Sequence, residues 1–540
     1  THNTQQNADI TGLGDGGYLV TWMSSNQDGD NWGVFGQRFN TEGDAVGTEF
    51  QINTTTDNKQ WRPEASGLAD GGFVVVWNSQ DQDGSDIGVF GRRFNADGEA
   101  VGDEFQVNTT TDNRQYRPTV SGLADGGFVV AWEGQGSDGN NGIYSQHFDA
   151  TGASTGVEVR VGDGGGQRPV VTELIDGDYV IVWQNGDNND WGVFGQRYNA
   201  DGTASGTQFL INSTTNSSQQ HPEVTALADG GFVVAWQSNN QDGSGWGIYG
   251  QRFDADGFTV GDEFMVNTST QNSQEYPRVA ALSDGGFVIT WQGNEENSNY
   301  SLYGQLFDSA GQRQGEQFEI ADTRTTDNRV GRAHVEGLSD GSVVVVWHQQ
   351  DNSGYGIYQQ RFVSGTQIVD GDRIIGGATD DILVGGAGDQ TLVGGAGDDA
   401  VDGGAGYNTY EVSGTPGGFI HQVIDSGEVL LTDLVVGGDD AEEAADESQD
   451  LLRNIQAIRY VSPEDGSTIT VELDEYGNAP DAGNLVLGYG EIIQGRFNFK
   501  DDDDYFLVDA KEGQQVVIES LLSSYPNRLD METSGFGRQE

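Results

Sequence analysis

Oxygen-bearing side chains stand at short, regular spacings around glycines in two places along this chain. One place is a set of loops: NQDGDNWG (Asn26 to Gly33), DQDGSDIG (Asp81 to Gly88), NQDGSGWG (Asn240 to Gly247) and DNSGYG (Asp351 to Gly356). Calcium takes about six to eight oxygens in a flexible cage, and carboxylates alternating about a Gly turn offer them. Asp81, Asp83 and Asp86 form the fullest set; the alternative is an Asp-Gly turn whose acids are simply solvated. The other place begins at residue 376, where the frames GGATDDILV, GGAGDQTLV, GGAGDDAVD and GGAGYNTYE run to Glu411, after an imperfect copy from Gln367 to Ile375. Glycine permits the positive-φ turn, and Asp carboxylates with turn carbonyls offer oxygens to a hard cation. The eighth place (Ile374, Leu383, Leu392, Val401, Tyr410) supplies a short strand and an apolar spine. A Gly-rich linker has no reason to keep an apolar residue at that interval.

Catalytic chemistry is not written so plainly. The histidines stand at 2, 147, 221, 334, 348 and 421, and no pair has the HExxH spacing of a zinc peptidase. The chain is read as lacking GxSxG, and it has no cysteine nucleophile. Two carboxylates suffice for a glycosidase, and 85 acids leave that class open. The repeated loops vary little, whereas an active site breaks the symmetry of a repeat, so a non-catalytic chain is the expectation. A formal charge of −60 argues against nucleic acid and anionic membrane and for cations as partners; a surface adapted to salty water has the same composition. Without cysteine the chain must be held by packing or metal. No apolar run is long enough to span a membrane. The chain opens at Thr1 with no basic-then-apolar leader, as a mature or excised piece would.

The elements that must position these loops follow from a second period. Trp22, Trp77, Trp132, Trp183, Trp236, Trp291 and Trp347 are separated by 55, 55, 51, 53, 55 and 56 residues. Each ends a phrase best read as DGGFVVAW (Asp229 to Trp236), and a period of about 50 residues marks a repeat architecture. In one unit, Arg117 to Leu123 is a short alternating run and Phe128 to Trp132 a strand apolar on both faces. Gly142 to Phe148 is a third strand, and Phe94 to Asn108 shows the last hairpin with Asp97-Gly98 as its positive-φ turn.

Four short antiparallel strands per unit make a propeller blade, and no segment has the 3.6 period of a helical solenoid. The reading is all-β: a seven-bladed β-propeller followed by a short parallel β-roll and a small C-terminal β-sandwich-like unit. A β-solenoid or tandem sandwiches is the alternative for the repeats. The opening strand is Ala8 to Leu13, and the last blade is expected to end on a reduced fourth strand at Thr366 to Val369. The repeated Trp is expected to pack between blades. The Gln-Arg-Phe phrases (Gln37 to Phe39, Gln251 to Phe253, Gln360 to Phe362) should turn the aromatic inward and Arg outward. The Arg-Pro pairs (Arg62-Pro63, Arg117-Pro118, Arg168-Pro169) should start a strand where Pro costs no ladder bond. Just before the third strands stand Trp32, Trp191, Trp246, Tyr300 and Tyr355, a set that either stacks on sugar rings or caps the blade edges.

The nine-residue frames resemble the calcium-binding nonapeptide of repeats-in-toxin (RTX, hemolysin-type) proteins, GGxGxDxUx with U apolar. The resemblance implies a parallel β-roll in which calcium sits between turns two repeats apart, held by the sixth-position Asp. Asp381 and Asp399 fill that place, among turns that carry Gly377, Gly386 and Gly395, and Asp372 is a further partner from the imperfect copy. Gln390 and Asn408 depart from the pattern, which leaves a second stack short of ligands; Asp389 stands one residue early. Such a roll folds on binding calcium, because its clustered acids repel one another without metal. The family pairs this with type I export, unfolded at low cytosolic calcium and folding outside.

Leu451 to Leu473 resembles the segment that trails RTX rolls, a strand pair ending in an Asp-Gly turn. Gly490 to Ser520 resembles part of a bacterial pre-peptidase C-terminal domain, on its Asp-Asp-Tyr-Phe strand and Glu-Gly-Gln turn. The division is then 1–366 propeller, 367–412 calcium-binding roll, 413–478 trailing β segment and 479–540 partial C-terminal β domain. The function expected is a secreted, calcium-stabilised extracellular binding or adhesion module whose propeller loops meet a glycan or protein surface. The alternative is the accessory, non-catalytic region of a secreted hydrolase acting on protein or polysaccharide.

Overall fold

The computed structural model describes residues 4–364 apart from 42, 138, 188, 295–299, 322–329 and 352–353, and beyond 364 a set of short strands alone. No helix occurs among the described residues, so none is long and apolar enough to cross a membrane. The first blade is Gln5–Gly12, Tyr18–Ser25, Trp32–Phe39 and Ala45–Gln51, paired in sequence order and antiparallel. Five more four-stranded sheets repeat it up to Arg313–Ala321. The seventh blade holds Val330–Gly337, Ser342–Asp351 and Gly354–Ser364. The first strand of every blade touches the first strand of the next, and Gln5–Gly12 touches Val330–Gly337. The repeats therefore close into a ring around the first strands, which a solenoid or tandem sandwiches would not do.

The ring is latched without strand exchange, since the first blade takes all four strands from its own segment. The expected fourth strand at 366–369 lies outside the described residues. The place beside Gly354–Ser364 is taken instead by Asp381–Val384 of the glycine-aspartate tract, paired in parallel from Arg361↔Asp381 to Ser364↔Val384. The last sheet of the propeller therefore runs on into the tract.

Second strands such as Phe73–Gln80 are buried along nearly their whole length, as their unbroken apolar runs require. The repeated Trp packs between blades as expected. Trp77 lies with Leu19, Val34 and Ile52 of the preceding blade, and Trp236 with Val182, Val193 and Ile211. Opposite that Trp, in six blades, the first strand carries two residues where the partner has one, as between Trp61↔Asn78 and Glu64↔Val76. The extra pair is Asn7-Ala8, Arg62-Pro63, Arg117-Pro118, Arg168-Pro169, His221-Pro222 or Tyr276-Pro277, and its first residue has φ between 50° and 56°. The Arg-Pro pair is thus a β-bulge within the strand, where Pro forfeits no ladder bond.

The left-handed residues are held from the preceding blade. The N–H of Arg117 donates to Asn78 (3.0 Å), that of His221 to Gln184 (3.0 Å) and that of Tyr276 to Gln237 (2.9 Å), each acceptor being the residue after a repeated Trp.

The Gln-Arg-Phe phrase departs from expectation in one respect. Its aromatic does turn inward, Phe253 stacking on Phe232 at 4.7 Å. Its Arg does not face outward: Arg252 is buried and pairs with Asp229 at 2.9 Å, and Arg93 likewise with Asp70 at 3.0 Å. The Asp belongs to the Asp-Gly-Gly turn and also caps it, Gly231 N–H donating to Asp229 at 2.9 Å. The guanidinium is drawn down because that turn carboxylate is within reach.

Candidate functional site

In the glycine-aspartate tract the strands Arg373–Ile375, Thr391–Val393 and Thr409–Ser413 pair in parallel, two repeats apart. Asp381–Val384 and Ala400–Asp402 pair in the same way. Eighth-position residues fall in register, Ile374 beside Leu392 beside Tyr410 and Leu383 beside Val401. Leu392, Val401 and Tyr410 are all buried. Ala457–Val461 and Thr468–Glu472 form the expected trailing strand pair, and Ala457–Val461 extends the sheet of Thr409–Ser413. Asp381 opens one of these strands. Asp372, Asp389, Asp399, Gly377, Gly386 and Gly395 lie outside the described residues, as do most residues of the C-terminal segment.

The blade loops do not form the cation cage expected of Asp81, Asp83 and Asp86. Asp81 takes a left-handed turn, its N–H donating to the Asp86 carbonyl at 3.0 Å. The Asp83 carboxylate caps Ser85 N–H (3.1 Å) and accepts from Asn108 (3.1 Å), while Asp86 pairs with Arg114 of the next inter-blade connection at 2.7 Å. The Asp83 and Asp86 carboxylates are directed to three different partners, and among the described residues no metal-sized group forms there. In the first blade's loop Asp30, at the place of Ser85, accepts from Asn58 N–H at 3.0 Å. These acids stitch neighbouring blades.

Trp32, Trp191, Trp246, Tyr300 and Tyr355 all lie at one end of the ring, half-buried, at the starts of third strands. They therefore sit on the outer part of each blade rather than around its axis. Tyr300 packs against the core between the sixth and seventh blades. Burial, then the neighbouring Glu275 and Tyr276, pushes its hydroxyl above the usual range.

A GxSxG string does occur, Gly152 to Gly156, which corrects the sequence reading. It is the turn and opening of an outermost strand, with Ser154 exposed and paired to Phe148. A nucleophile elbow needs a strand-to-helix turn, and this is a hairpin.

One cluster was missed by sequence reasoning. The bulges place Arg62, Arg117, Arg168, His221 and Tyr276 at equivalent positions on the inner strands, and the seventh blade adds Arg332. The four arginines feel one another. Arg168 is brought down to about 9 by burial and by the charges of Arg117, Arg332 and Arg62. His221 is held far below its usual value by burial and by Arg168 and Arg332. The signal was the recurrence of a cation before Pro, read as strand punctuation alone.

Further along the same strands lies a mixed belt. His334 shares hydrogen bonds with Asp9 through Nδ1 and with Arg278 through Nε2, both at 2.7 Å, and Arg278 also pairs with Glu223. Asp9, Glu64 and His334 are near enough to hold a metal, but both ring nitrogens of His334 are engaged. Burial, with Asp9 adding to it, pushes the Glu64 carboxyl well above the usual range.

Residues 372–410 match the RTX calcium-binding nonapeptide repeat in four copies. No curated protein matches the chain. Among solved structures, a polysaccharide lyase described as an ulvan lyase is 10% identical with a TM-score of 0.43, covering 66% of this chain and 95% of its own. The β-propeller domain of the trilobed protease from Pyrococcus furiosus is 9% identical with a TM-score of 0.39, covering 66% and 92%. An α-L-arabinanase from Penicillium chrysogenum is 15% identical with a TM-score of 0.40, covering 56% and 93%.

Proposed function

We propose that this chain is a secreted calcium-binding protein in which an RTX roll, ordered by calcium, completes the last sheet of an extracellular binding or adhesion propeller. The observation that carries the reading is the parallel pairing of Gly354–Ser364 with Asp381–Val384. It supports reading the calcium tract as a continuation of the seventh blade's sheet rather than as an appendage on a linker. Asp381 and Asp399, with Asp372, are the proposed ligands of the best-formed site, and the glycines at 377, 386 and 395 free the turn carbonyls to face the ion. Without calcium the tract's carboxylates repel, so its strands form only as metal binds. Export in the unfolded state, through a type I channel at low calcium, fits a chain that folds on reaching calcium outside the cell. The half-buried aromatics at one end of the ring suit contact with a glycan or protein surface.

Calcium titration of the full chain, followed by far-UV circular dichroism and by thermal unfolding, tests this. Calcium is expected to add β signal and to raise the unfolding temperature of the propeller as well as that of the tract. Equal order in excess chelator would remove the folding role of calcium. A rise confined to the tract would remove its coupling to the seventh blade.

A further inference from the structure

We propose that the mouth of the propeller's central channel binds an acidic glycan, seating its carboxylate or sulfate groups among Arg62, Arg117, Arg168 and Arg332. The inference rests on the reading of the propeller as a binding module and names where it binds and what.

Four guanidinium groups gather on the inner strands of a chain whose formal charge is −60. Among the described residues only the Arg117 guanidinium pairs with a carboxylate, Glu133 at 3.0 Å, which also accepts the Arg168 backbone N–H at 3.2 Å. Among the described residues the guanidinium groups of Arg62, Arg168 and Arg332 have neither ion pair nor hydrogen bond; Arg332 lies over the Tyr276 ring at 4.1 Å. Like charges at short range, partly out of water, work against folding. A ring that costs stability and leaves three of its four guanidinium groups unsatisfied is arranged for something that arrives later. Guanidinium forks match planar carboxylate and sulfate oxygens in pairs.

The sugar character follows from the neighbours. Trp61 and Tyr116, half-buried, immediately precede Arg62 and Arg117, and Tyr276 stands in the ring with His221 against its edge at 4.7 Å. Aromatic faces beside guanidinium forks accept a pyranose ring bearing an acid group. The acidic exterior repels a long polyanion along its length. A chain end entering along the axis meets the four arginines at the mouth.

The test is calorimetric titration of the full chain in calcium with a chondroitin sulfate hexasaccharide, which carries both groups, against cellohexaose and inorganic sulfate. Binding of the acidic hexasaccharide alone, weakened about tenfold or more in Arg168→Gln and in Arg62→Gln, is expected for lost charge-assisted bonds. Both variants should unfold no lower than the parent without ligand, whereas arginines placed for structure would lower the unfolding temperature when removed. Binding that survives both variants but falls with Trp246→Ala overturns the channel site and leaves the binding-module reading standing. Sulfate binding as tightly as the hexasaccharide overturns the glycan class, and no acidic binding at all overturns the site.

Discussion

The seam between the last and first blades carries a carboxyl where three other seams use a hydroxyl. Gly67 N–H donates to Thr11 Oγ1 (3.2 Å), Gly122 N–H to Ser66 Oγ (2.9 Å) and Glu173 N–H to Ser121 Oγ (3.0 Å). At the seam, Gly12 N–H donates to Glu336 Oε1 at 3.0 Å. Burial raises the Glu336 carboxyl from its ordinary 4.5 to about 7; the Gly12 N–H pulls it back and Asp9 pushes it up. The folded chain thus holds this proton more tightly than the unfolded chain. Its contribution is fully present below 4.5 and is lost as pH rises through about 7. At about 1.4 kcal/mol per pH unit, the ionised seam forgoes at most about 3 kcal/mol, less whatever solvent reaching the half-buried side chain screens. Glu336→Gln keeps the acceptor for Gly12 and removes the ionisation. In urea unfolding followed by tryptophan fluorescence, the variant should match the parent near pH 5 and exceed it near pH 8.5, by up to that amount. Equal stability at both pH values, or a variant weaker at the higher one, would refute the argument that the seam stores this proton.

Three further outcomes follow from packing and charge. Leu392→Asp puts a carboxylate into a fully buried spine position, between Ile374 and Tyr410. It should abolish the calcium-induced dichroism change while leaving the calcium-free spectrum unaltered. Trp236→Ala should cost about 3–5 kcal/mol, read as a lower denaturant midpoint, because the indole fills the core between the fourth and fifth blades. Burial opposes ionisation of Glu104, but hydrogen bonds from Thr55, Thr54 and Gln82 carry its carboxyl below the ordinary value. The stability it adds is present above its unfolded pKa and is lost as pH falls through its folded one, so Glu104→Gln should flatten the acid limb of a stability-against-pH curve.

The period of the tryptophans made the blades legible, because a strand buried on both faces must be apolar without alternation and each turn between strands needs its Gly. The same logic failed at Arg62, Arg117 and Arg168. Alternation assigns a face only while every residue has one partner, and an inserted residue reverses all that precede it. Asp81, Asp83 and Asp86 failed differently. Composition shows how many oxygens a loop owns but not which are already engaged, and here Arg114, Asn108 and Ser85 reach those of Asp83 and Asp86 first.

Where side chains repeat faithfully, as in the Arg–Asp pairs that pin Asp70 and Asp229, they build the blade. Where one position varies among Asn7, Arg62, Arg117, Arg168, His221 and Tyr276, its backbone is held at nearly the same φ throughout. Such a position is kept for its geometry and left free in its chemistry. A ring that constrains the backbone and varies the side chain is how a symmetric scaffold acquires an asymmetric lining, so ligand discrimination is to be sought on the axis and stability in the blades.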